Sequence, residues 1–377
     1  MRDVAVIGAG PVGATLAALA GAAGLDVAVY EARPGPSGEG RILALSEASR
    51  GILEEARAWP DPAAAITSIH ISQKGGPGRT LLEAREQSLP ALGFTVSYAA
   101  LENALAARLR ELGVPIAYGS TCQEIHVGAD RAMVRMASGD EAQARLLVLA
   151  DGGANAAKIP GIAFAEKDYA QHAVIGLVAT DRPHGGRAYE RFTPQGPVAL
   201  LPVEDRYALV WSAAPQEAER LLALDDARFL AGLQAHFGDR AGRFTRVERR
   251  AAFPLKLRTV NLPVALRAAI VGNAAQALHP IAGQGLNLGL RDAQSLAAVI
   301  AVTPRERVGD AAMLDEYRES RRRDAGRGVA FTDFLVSAFA DGRRIPTWGR
   351  GLALAALDLF PPARRALAGR MIYGASR

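Results

Sequence analysis

Residues 4–13 read VAVIGAGPVG, an apolar run followed at once by the pattern Gly-x-Gly-x-x-Gly. The run is typical of a buried β-strand, and the small-residue stretch 14–23 that follows is typical of a buried helix. Gly8 permits the tight turn out of the strand, Gly10 lets the backbone approach a pyrophosphate, and Gly13 lets the helix pack close to the sheet. The spacing predicts a dinucleotide-binding βαβ unit.

An acidic residue ends the second predicted strand of this unit. Glu31 follows the apolar run 27–30 and lies 23 residues after Gly8. Its carboxylate can accept two hydrogen bonds from a ribose diol, and its charge disfavours a 2′-phosphate. The helix N-terminus offers free N–H groups and a partial positive charge to phosphates. The unit does not by itself distinguish FAD from NAD, and an ordinary glycine-rich turn is the alternative.

Two later segments place polar residues after buried strands. Residues 146–150 (LLVLA) lead into Asp151 and Gly152. Because the carboxyl ends of parallel strands line the ligand crevice, Asp151 is expected to face a cofactor, with a turn or capping aspartate as the alternative.

The third motif is the run 273–289, NAAQALHPIAGQGLNLG, which follows a predicted strand. Gly283 and Gly285 flank Gln284 and would clear side chains where the backbone approaches a flat ring. A helix beginning near residues 284–287 would point its N–H groups at that ring and stabilise negative charge on it.

These motifs, in this order and spacing, resemble those of the single-component flavoprotein aromatic hydroxylases. Segments 189–197, 253–255 and 273–285 are similar to the ubiquinone-biosynthesis hydroxylases that act on polyprenyl-methoxyphenols. The resemblance covers nearly the whole chain. It implies an α/β fold with a Rossmann-like FAD-binding domain, an inserted β-sheet substrate domain that roofs the substrate pocket, and a C-terminal helical tail.

The predicted domains are discontinuous in the sequence. Residues 1–70, 96–170 and 262–330 are assigned to the FAD-binding domain, 71–95 and 171–261 to the β-rich substrate domain, and 331–377 to the basic helical tail. Within the substrate domain, alternating residues predict a hairpin of strands 198–203 and 206–213. Residues 216–237 are predicted to form one or two surface helices.

The motifs and the resemblance together predict one set of site residues. His279 is the candidate catalytic residue, a polar group near the phenol, with a satisfied buried histidine as the alternative. Arg41 is expected near the flavin and the substrate, with a solvated loop arginine as the alternative. The predicted cofactor-binding residues are Gly8, Gly10, Gly13, Glu31, Arg41, Asp151, Gly152, Gly272, Asn273, Pro280, Gly283, Gln284, Gly285, Leu286 and Asn287.

Three positions depart from the wider family pattern. Asn273 stands where an Asp that binds the ribityl chain is usual, although Asn is familiar in the methoxyphenol branch. Asn155 and Lys158 stand where Ser and Arg are expected after the Asp-Gly pair. Because that segment serves both FAD and NAD(P)H in relatives, these changes bear on the nicotinamide contacts.

The resemblance implies a monooxygenase in ubiquinone biosynthesis. FAD would be the cofactor, NAD(P)H the co-substrate and dioxygen the oxidant, and a flavin C4a-hydroperoxide would hydroxylate the ring of a polyprenyl phenol, para to its oxygen. A related hydroxylase acting on another ring position or on a soluble aromatic is one alternative. A non-catalytic flavoprotein that stabilises an assembly of other quinone-biosynthesis proteins is another.

Charge and cysteine content indicate which kinds of binding partner, covalent cross-link and metal site to expect. The chain of 377 residues carries a formal charge of +5, but segment 342–377 alone holds seven arginines and one acid, so the body is nearly neutral. That balance argues against nucleic-acid binding and favours contact of the tail with an anionic membrane surface. A single cysteine, Cys122, excludes a disulfide framework, and no metal site is predicted. We expect a cytoplasmic protein at the periphery of the inner membrane.

Overall fold

A computed structural model of the chain describes residues 1–76, 78–279, 283–340 and 347–374. The strands, in chain order, are β1 (Arg2–Ile7), β2 (Val27–Glu31), β3 (Ile42–Ser46), β4 (Ala63–Ile66), β5 (Ser68–Gln73), β6 (Arg79–Glu83), β7 (Gly93–Ser97), β8 (Ile116–Tyr118), β9 (Cys122–Val127), β10 (Ala132–Met136), β11 (Glu141–Leu149), β12 (Phe164–Thr180), β13 (Arg187–Phe192), β14 (Val198–Val203), β15 (Arg206–Ala213), β16 (Phe244–Val260), β17 (Val264–Ala265), β18 (Ala268–Ile270) and β19 (Gln276–Ala277). The helices are α1 (Pro11–Ala22), α2 (Glu47–Glu55), α3 (Tyr98–Glu111), α4 (Pro215–Ala223), α5 (Asp226–Phe237), α6 (Gln284–Val302), α7 (Ala311–Ala340), α8 (Thr347–Leu359) and α9 (Pro361–Tyr373).

The first sheet is built around β1, which pairs in parallel with β11 on one side and β2 on the other. Its order is β17-β18-β11-β1-β2-β8, and the antiparallel pair β9–β10 attaches to β11. Leu16 of α1, Leu101 of α3 and Leu296 of α6 are fully buried in the core that covers one face. Because both faces of these parallel strands are covered, their sequences are continuous apolar runs.

The second sheet has the order β19-β16-β12-β15-β14-β13-β5-β6. The predicted hairpin 198–203 and 206–213 forms with those bounds as β14 and β15. Helices α4 and α5 cover one face of the sheet through a core that includes Trp211, Phe229 and Phe237. The opposite face of the second sheet lines a cavity.

The C-terminal helices dock on the edge of the second sheet. Thr80 of β6 donates from Oγ1 to the Leu354 carbonyl of α8 at 2.7 Å, and Arg364 of α9 pairs with Glu86 at 2.5 Å. Helix α7 runs across the domain boundary predicted at residue 330. The helices assigned to a tail therefore pack against the body, and the proposed division into domains stays a prediction. Within the described residues, no helix is long and apolar enough to cross a membrane.

Candidate active site

A cavity of about 1450 Å³ joins the two sheets. This exceeds the usual volume of a pocket for one drug-sized ligand, roughly 300–1,000 Å³. One end is lined by the β1–α1 turn and the start of α6, and the other by the second sheet and helices α8 and α9. The cavity therefore connects the predicted nucleotide site with an apolar compartment.

The glycine turn at the first end is as tight as the sequence predicts. Gly8 has φ +105°, and a Cβ there would lie 2.7 Å from the Ala150 carbonyl oxygen. A Cβ on Gly13 would overlap the Gly8 carbonyl oxygen, so α1 could not pack this closely on the sheet. Gly10 differs, because its missing side chain would point toward the Tyr98 hydroxyl at 3.6 Å and it lines the cavity.

Glu31 reaches back to the glycine turn. Its Oε2 accepts from the Ala9 amide at 2.8 Å, and its Oε1 accepts from the amide and the Nε of Arg33, both at 3.0 Å. Burial acts to raise the pKa of Glu31, but the hydrogen bonds from Arg33 and Ala9 outweigh it and the pKa lies below its usual value. Glu31 lines the cavity as an ionised group, and a ribose diol would share it with Arg33.

Asp151 and Asn273 line the cavity from the ends of two neighbouring strands. The Asp151 carboxylate accepts from the Gly153 amide at 2.9 Å and from the Asn155 side chain at 2.6 Å. Lys158 also lines the cavity and donates to the Cys122 carbonyl at 2.8 Å. The residues that depart from the family pattern at 155 and 158 thus lie at the cavity, where Asn155 orients Asp151. Gly152 lines the cavity beside them.

Helix α6 begins at Gln284, within the range that the glycine run predicts. Gly283 lies just before it at φ +60° and, with Gly285 and Leu286, lines the cavity. Gln284 is buried and donates to the Met371 carbonyl of α9 at 3.3 Å. Pro280, predicted with this group, lies outside the described residues.

Both the oxygen and the nitrogen of the Asn287 side-chain amide form hydrogen bonds with the protein. Its oxygen accepts from the Ser46 amide and the Ser49 hydroxyl, at 2.8 and 2.7 Å, and its nitrogen donates to the Ala44 and Gly283 carbonyls. These bonds use the two acceptor and two donor positions of an Asn side chain. Asn287 therefore ties β3 to the start of α6, and direct contact with a cofactor would have to replace one of these bonds.

His279 is placed differently from the predicted cofactor residues. It is buried, it is not among the residues that line the cavity, and its ring meets the Tyr169 ring edge-on at 5.3 Å. Burial lowers the pKa of His279 to about 4, so the imidazole is neutral near pH 7. This environment matches the alternative of a buried packing histidine, and its catalytic role stays a prediction.

Arg41 lines the cavity at its nucleotide end. Its guanidinium lies 5.2 Å from the Tyr98 ring centre and pairs with Glu39 at 3.2 Å. Tyr98 itself lines the cavity and was missed by sequence analysis, because no motif surrounds it. Its place follows from the pairing of β3 with β7, which brings the start of α3 to the turn.

A buried charge network was also missed. Asp292 of α6 accepts from the Gly272 amide at 3.0 Å and from Arg321 Nε at 2.8 Å, while Asp324 pairs with Arg321 and Arg291. Gly272, which has φ +60°, is held in place by this bond and does not itself line the cavity. The sequence offered no signal for the network, because Arg321 lies 29 residues from Asp292 on another helix.

The residues and helix N-termini at the nucleotide end of the cavity are suited to bind FAD. Neither α1 nor α6 has a side-chain cap or an acidic residue in its first turn, so both N-termini leave N–H groups for a ligand. At α1 those groups suit the pyrophosphate, and at α6 they suit the electron-rich ring. Among the residues that the structure describes, no group of three His, Cys, Asp or Glu could hold a metal ion.

Comparison with known proteins agrees with this geometry. Residues 1–332 match the family described as FAD binding domain. The ubiquinone hydroxylase UbiL of Rhodospirillum rubrum is 32% identical over 378 residues, covering 97% of this chain and 88% of that protein. This chain belongs to the FAD-binding family of the ubiquinone hydroxylases. FAD as cofactor and the membership predicted from the motifs are thereby confirmed.

A second relative and a solved structure are also similar to this chain. The 3-demethoxyubiquinol 3-hydroxylase of Escherichia coli is 31% identical over 310 residues and covers 79% of each chain. The crystal structure of p-nitrophenol 4-monooxygenase from Pseudomonas putida superposes with a TM-score of 0.79 at 19% identity, covering 100% of this chain and 99% of that one. The predicted fold of an aromatic hydroxylase is confirmed by this likeness.

Proposed function

We propose that this protein is an NAD(P)H- and dioxygen-dependent FAD monooxygenase that hydroxylates the ring of a polyprenyl-methoxyphenol in ubiquinone biosynthesis. The observation that carries the proposal is the cavity, which runs from the glycine turn to an apolar compartment lined by the second sheet, α8 and α9. A dinucleotide and a prenylated ring are the two kinds of ligand that these ends suit.

When bound, FAD would supply the redox chemistry that activates dioxygen. The β1–α1 turn would hold the pyrophosphate and Glu31 the ribose, while Asp151 and Asn273 would hold the polyol. The start of α6 would hold the ring. The second sheet, α8 and α9 would keep water from the reacting atoms, which prevents loss of the activated oxygen. The flavin-bound oxygen intermediate expected from the resemblance stays a prediction.

A hydroxylase acting on another ring position is the second candidate. The names of two similar proteins, a ubiquinone hydroxylase and a 3-demethoxyubiquinol 3-hydroxylase, indicate that members of this group differ in the substrate they use. The non-catalytic flavoprotein is the third, and formation of a hydroxylated product by the purified protein would exclude it.

The deciding experiment is deletion of the gene, followed by mass spectrometry of the quinone extract from aerobic cells. We expect a polyprenyl-methoxyphenol that lacks one oxygen to accumulate. Accumulation of a demethoxyubiquinol would favour the second candidate. A normal quinone profile would contradict both, unless a second hydroxylase substitutes, which a double deletion tests.

The proposal includes contact of the C-terminal helices α8 and α9 with a membrane surface. The large apolar side chains of Leu352, Leu359 and Phe360 are exposed on α8 and at the α8–α9 junction. Leu354, Leu367 and Met371 of the same segment line the cavity instead, so only part of the apolar surface foreseen for the tail is free. The proposed location is the cytoplasmic face of the inner membrane, alongside other quinone-biosynthesis proteins.

Flotation with anionic phospholipid vesicles tests this contact. We expect the wild-type protein to float, and the variant carrying both L359S and F360S to stay at the bottom with an unchanged melting temperature. L222S replaces an exposed leucine on α4, away from these helices, and serves as the control. Equal flotation of both variants would contradict the proposed surface.

A further inference from the structure

Glu190 is an acidic residue on the cavity face of the second sheet. It lies in β13 between Ala188 and Phe192, and all three line the cavity. Successive side chains of a strand point to opposite faces, so Arg191 lies on the other face, where it donates to Ser72 at 3.3 Å. The strand period therefore places a carboxyl group among the residues that would face a substrate.

The neighbours of Glu190 across the sheet are apolar. Its register partners are Ile71 on β5 and Ala199 on β14, followed by Val210 on β15 and Ile175 on β12. All four line the cavity. Directly opposite residues have Cβ atoms about 5 Å apart, so the small side chain of Ala199 leaves open space beside the carboxyl.

Other carboxylates that line the cavity have partners within the protein. Glu31 binds Arg33, Glu39 binds Arg41, Asp151 binds Asn155, and Glu166 binds Lys256 at 2.7 Å. The Glu190 side chain makes no hydrogen bond or ion pair with any residue that the structure describes. Glu190 is half-buried. Removing a carboxyl from water without a partner costs free energy, and the open side from which a partner can come is the cavity.

Burial also sets the proton affinity of this group. It raises the pKa of Glu190 to about 7, and no charged group contributes to the shift. The facing residues of β5, β12, β14 and β15 carry no charge. The remaining charged side chains that line the cavity are Glu31, Arg33, Glu39, Arg41, Asp151, Lys158, Glu166, Lys256 and Arg258. A group that titrates near neutral pH can both take up and release a proton during turnover.

We propose that Glu190 binds the ring hydroxyl of the phenolic substrate and accepts its proton. The inference rests on the proposed function and deepens it. The phenol O–H bond breaks, the proton moves to a carboxylate oxygen of Glu190, and the electron pair stays on the phenol oxygen. That charge activates the para carbon toward the transferred hydroxyl. When the ring loses the hydrogen that the hydroxyl replaces, as a proton to water, Glu190 returns its own proton to the ring oxygen.

The test compares the wild-type holoenzyme with E190Q, using a short-chain prenyl-methoxyphenol and measuring hydroxylated product by mass spectrometry. Glutamine keeps the size of the side chain and can accept a hydrogen bond, but it cannot take the proton. We expect kcat to fall roughly 100-fold or more, within the range of general-base catalysis. FAD content and KM should change little. E219Q alters an exposed glutamate of α4 in the same domain and is the matched control.

Two further measurements separate proton transfer from packing. In the wild type, kcat should rise with pH to a plateau, and E190Q should lack this limb, while E190D should keep it with reduced kcat. A substrate analogue with an electron-withdrawing ring group, already ionised at the assay pH, should be hydroxylated at similar rates by the wild type and E190Q.

The outcomes distinguish the inference from the proposed function. Equal kcat and equal pH profiles for the wild type and E190Q would overturn the role of Glu190 and leave the function standing. So would an equal loss with the ionised analogue, which would indicate packing. If the wild-type holoenzyme forms no product from any phenol, the proposed function fails and the role of Glu190 fails with it.

Discussion

At the nucleotide end of the cavity Glu31 accepts hydrogen bonds from Ala9 and Arg33, whereas on the second sheet Glu190 faces the same cavity without a partner among the described residues. The first arrangement is complete before a ligand arrives. The second leaves hydrogen-bonding capacity for a ligand to use. The difference indicates that the nucleotide end is preorganised by the protein, while the proposed substrate end would gain a partner for Glu190 from its ligand.

The largest effect is expected for D292N, in the buried charge network that holds Gly272 next to the cavity residue Asn273. Asp292 is fully buried and bridges Gly272 to Arg321, so removing its charge leaves a buried guanidinium short of a partner. We expect the free energy of unfolding to fall by about 3–5 kcal/mol, measured by urea denaturation. D315N breaks an exposed pair with Arg318 and should cost about 1 kcal/mol or less. Similar losses of unfolding free energy in D292N and D315N would contradict the expectation that the buried network stabilises the protein more than the exposed pair.

Glu190, whose side chain has no partner among the described residues, should lower the stability of the folded protein as pH rises. The pKa of Glu190 is raised to about 7 in the folded state, so the folded protein binds more protons than the unfolded chain between about pH 4.5 and 7. Stability therefore falls as pH rises through that window and stays lower at higher pH.

The variant E190Q removes this dependence. Relative to wild type, its free energy of unfolding should gain up to about 3 kcal/mol between pH 4.5 and 7.5. The measurement is urea denaturation of the substrate-free holoenzyme across that range. E31Q should instead differ from wild type by a nearly constant amount over this range, because the pKa of Glu31 is lowered in the folded state and its stabilising effect is lost only as pH falls below about 4.5. If the free energies of unfolding of E190Q and E31Q, each relative to wild type, depended on pH in the same way, the difference between the two carboxylates would be contradicted.

The close packing at the nucleotide turn predicts an effect on FAD retention. In G13A the new Cβ would overlap the Gly8 carbonyl oxygen and push α1 away from the turn. A strain of about 1–3 kcal/mol would weaken FAD binding roughly 10-fold to 100-fold. Fluorescence titration of the apoprotein with FAD measures it. G51A, in open space on the exposed side of α2, should bind FAD as the wild type does.

The smallest effect is expected where the C-terminal helices meet the sheet edge. Arg364 pairs with Glu86 at 2.5 Å in a half-buried position. R364Q should lower the free energy of unfolding by about 1 kcal/mol or less, because water screens the pair. Thermal unfolding measures the change, and R365Q is the control on the exposed neighbour. A loss as large as that of D292N would show that the helix end is more tightly integrated than its exposure indicates.

Local patterns were sufficient for the elements closest to the cofactor end. The glycine turn and the start of α6 at that end, and the hairpin β14–β15 in the second sheet, each follow from one continuous stretch of sequence. Within such a span, allowed φ angles, strand alternation and helix N-termini leave few choices. The family and the cofactor were named from the order and spacing of three such motifs along the chain.

Longer-range features were not predictable in this way. Helices α8 and α9 were expected at a membrane surface, which stays a prediction, and the sequence did not indicate that Leu354 and Ile372 line the cavity. Composition shows that such a helix has an apolar face, and it does not show what covers that face. His279 was predicted as a site residue because it lies within a motif, and that role stays a prediction. Its packing against the ring of Tyr169, from a distant strand, could not be foreseen from the motif.

The sequence by itself determined the nucleotide turn, because the glycine spacing at 8, 10 and 13 is typical of a turn between an adjoining strand and helix, and the order and spacing of the three motifs determined the family and the flavin. The tertiary structure decided which carboxylates are paired and which one is left open to the cavity. Arg33 is two residues from Glu31, but the absence of a partner for the Glu190 side chain among the described residues depends on the apolar strands β5, β12, β14 and β15 beside it. Pairing across such distances is set by packing, which no local pattern encodes.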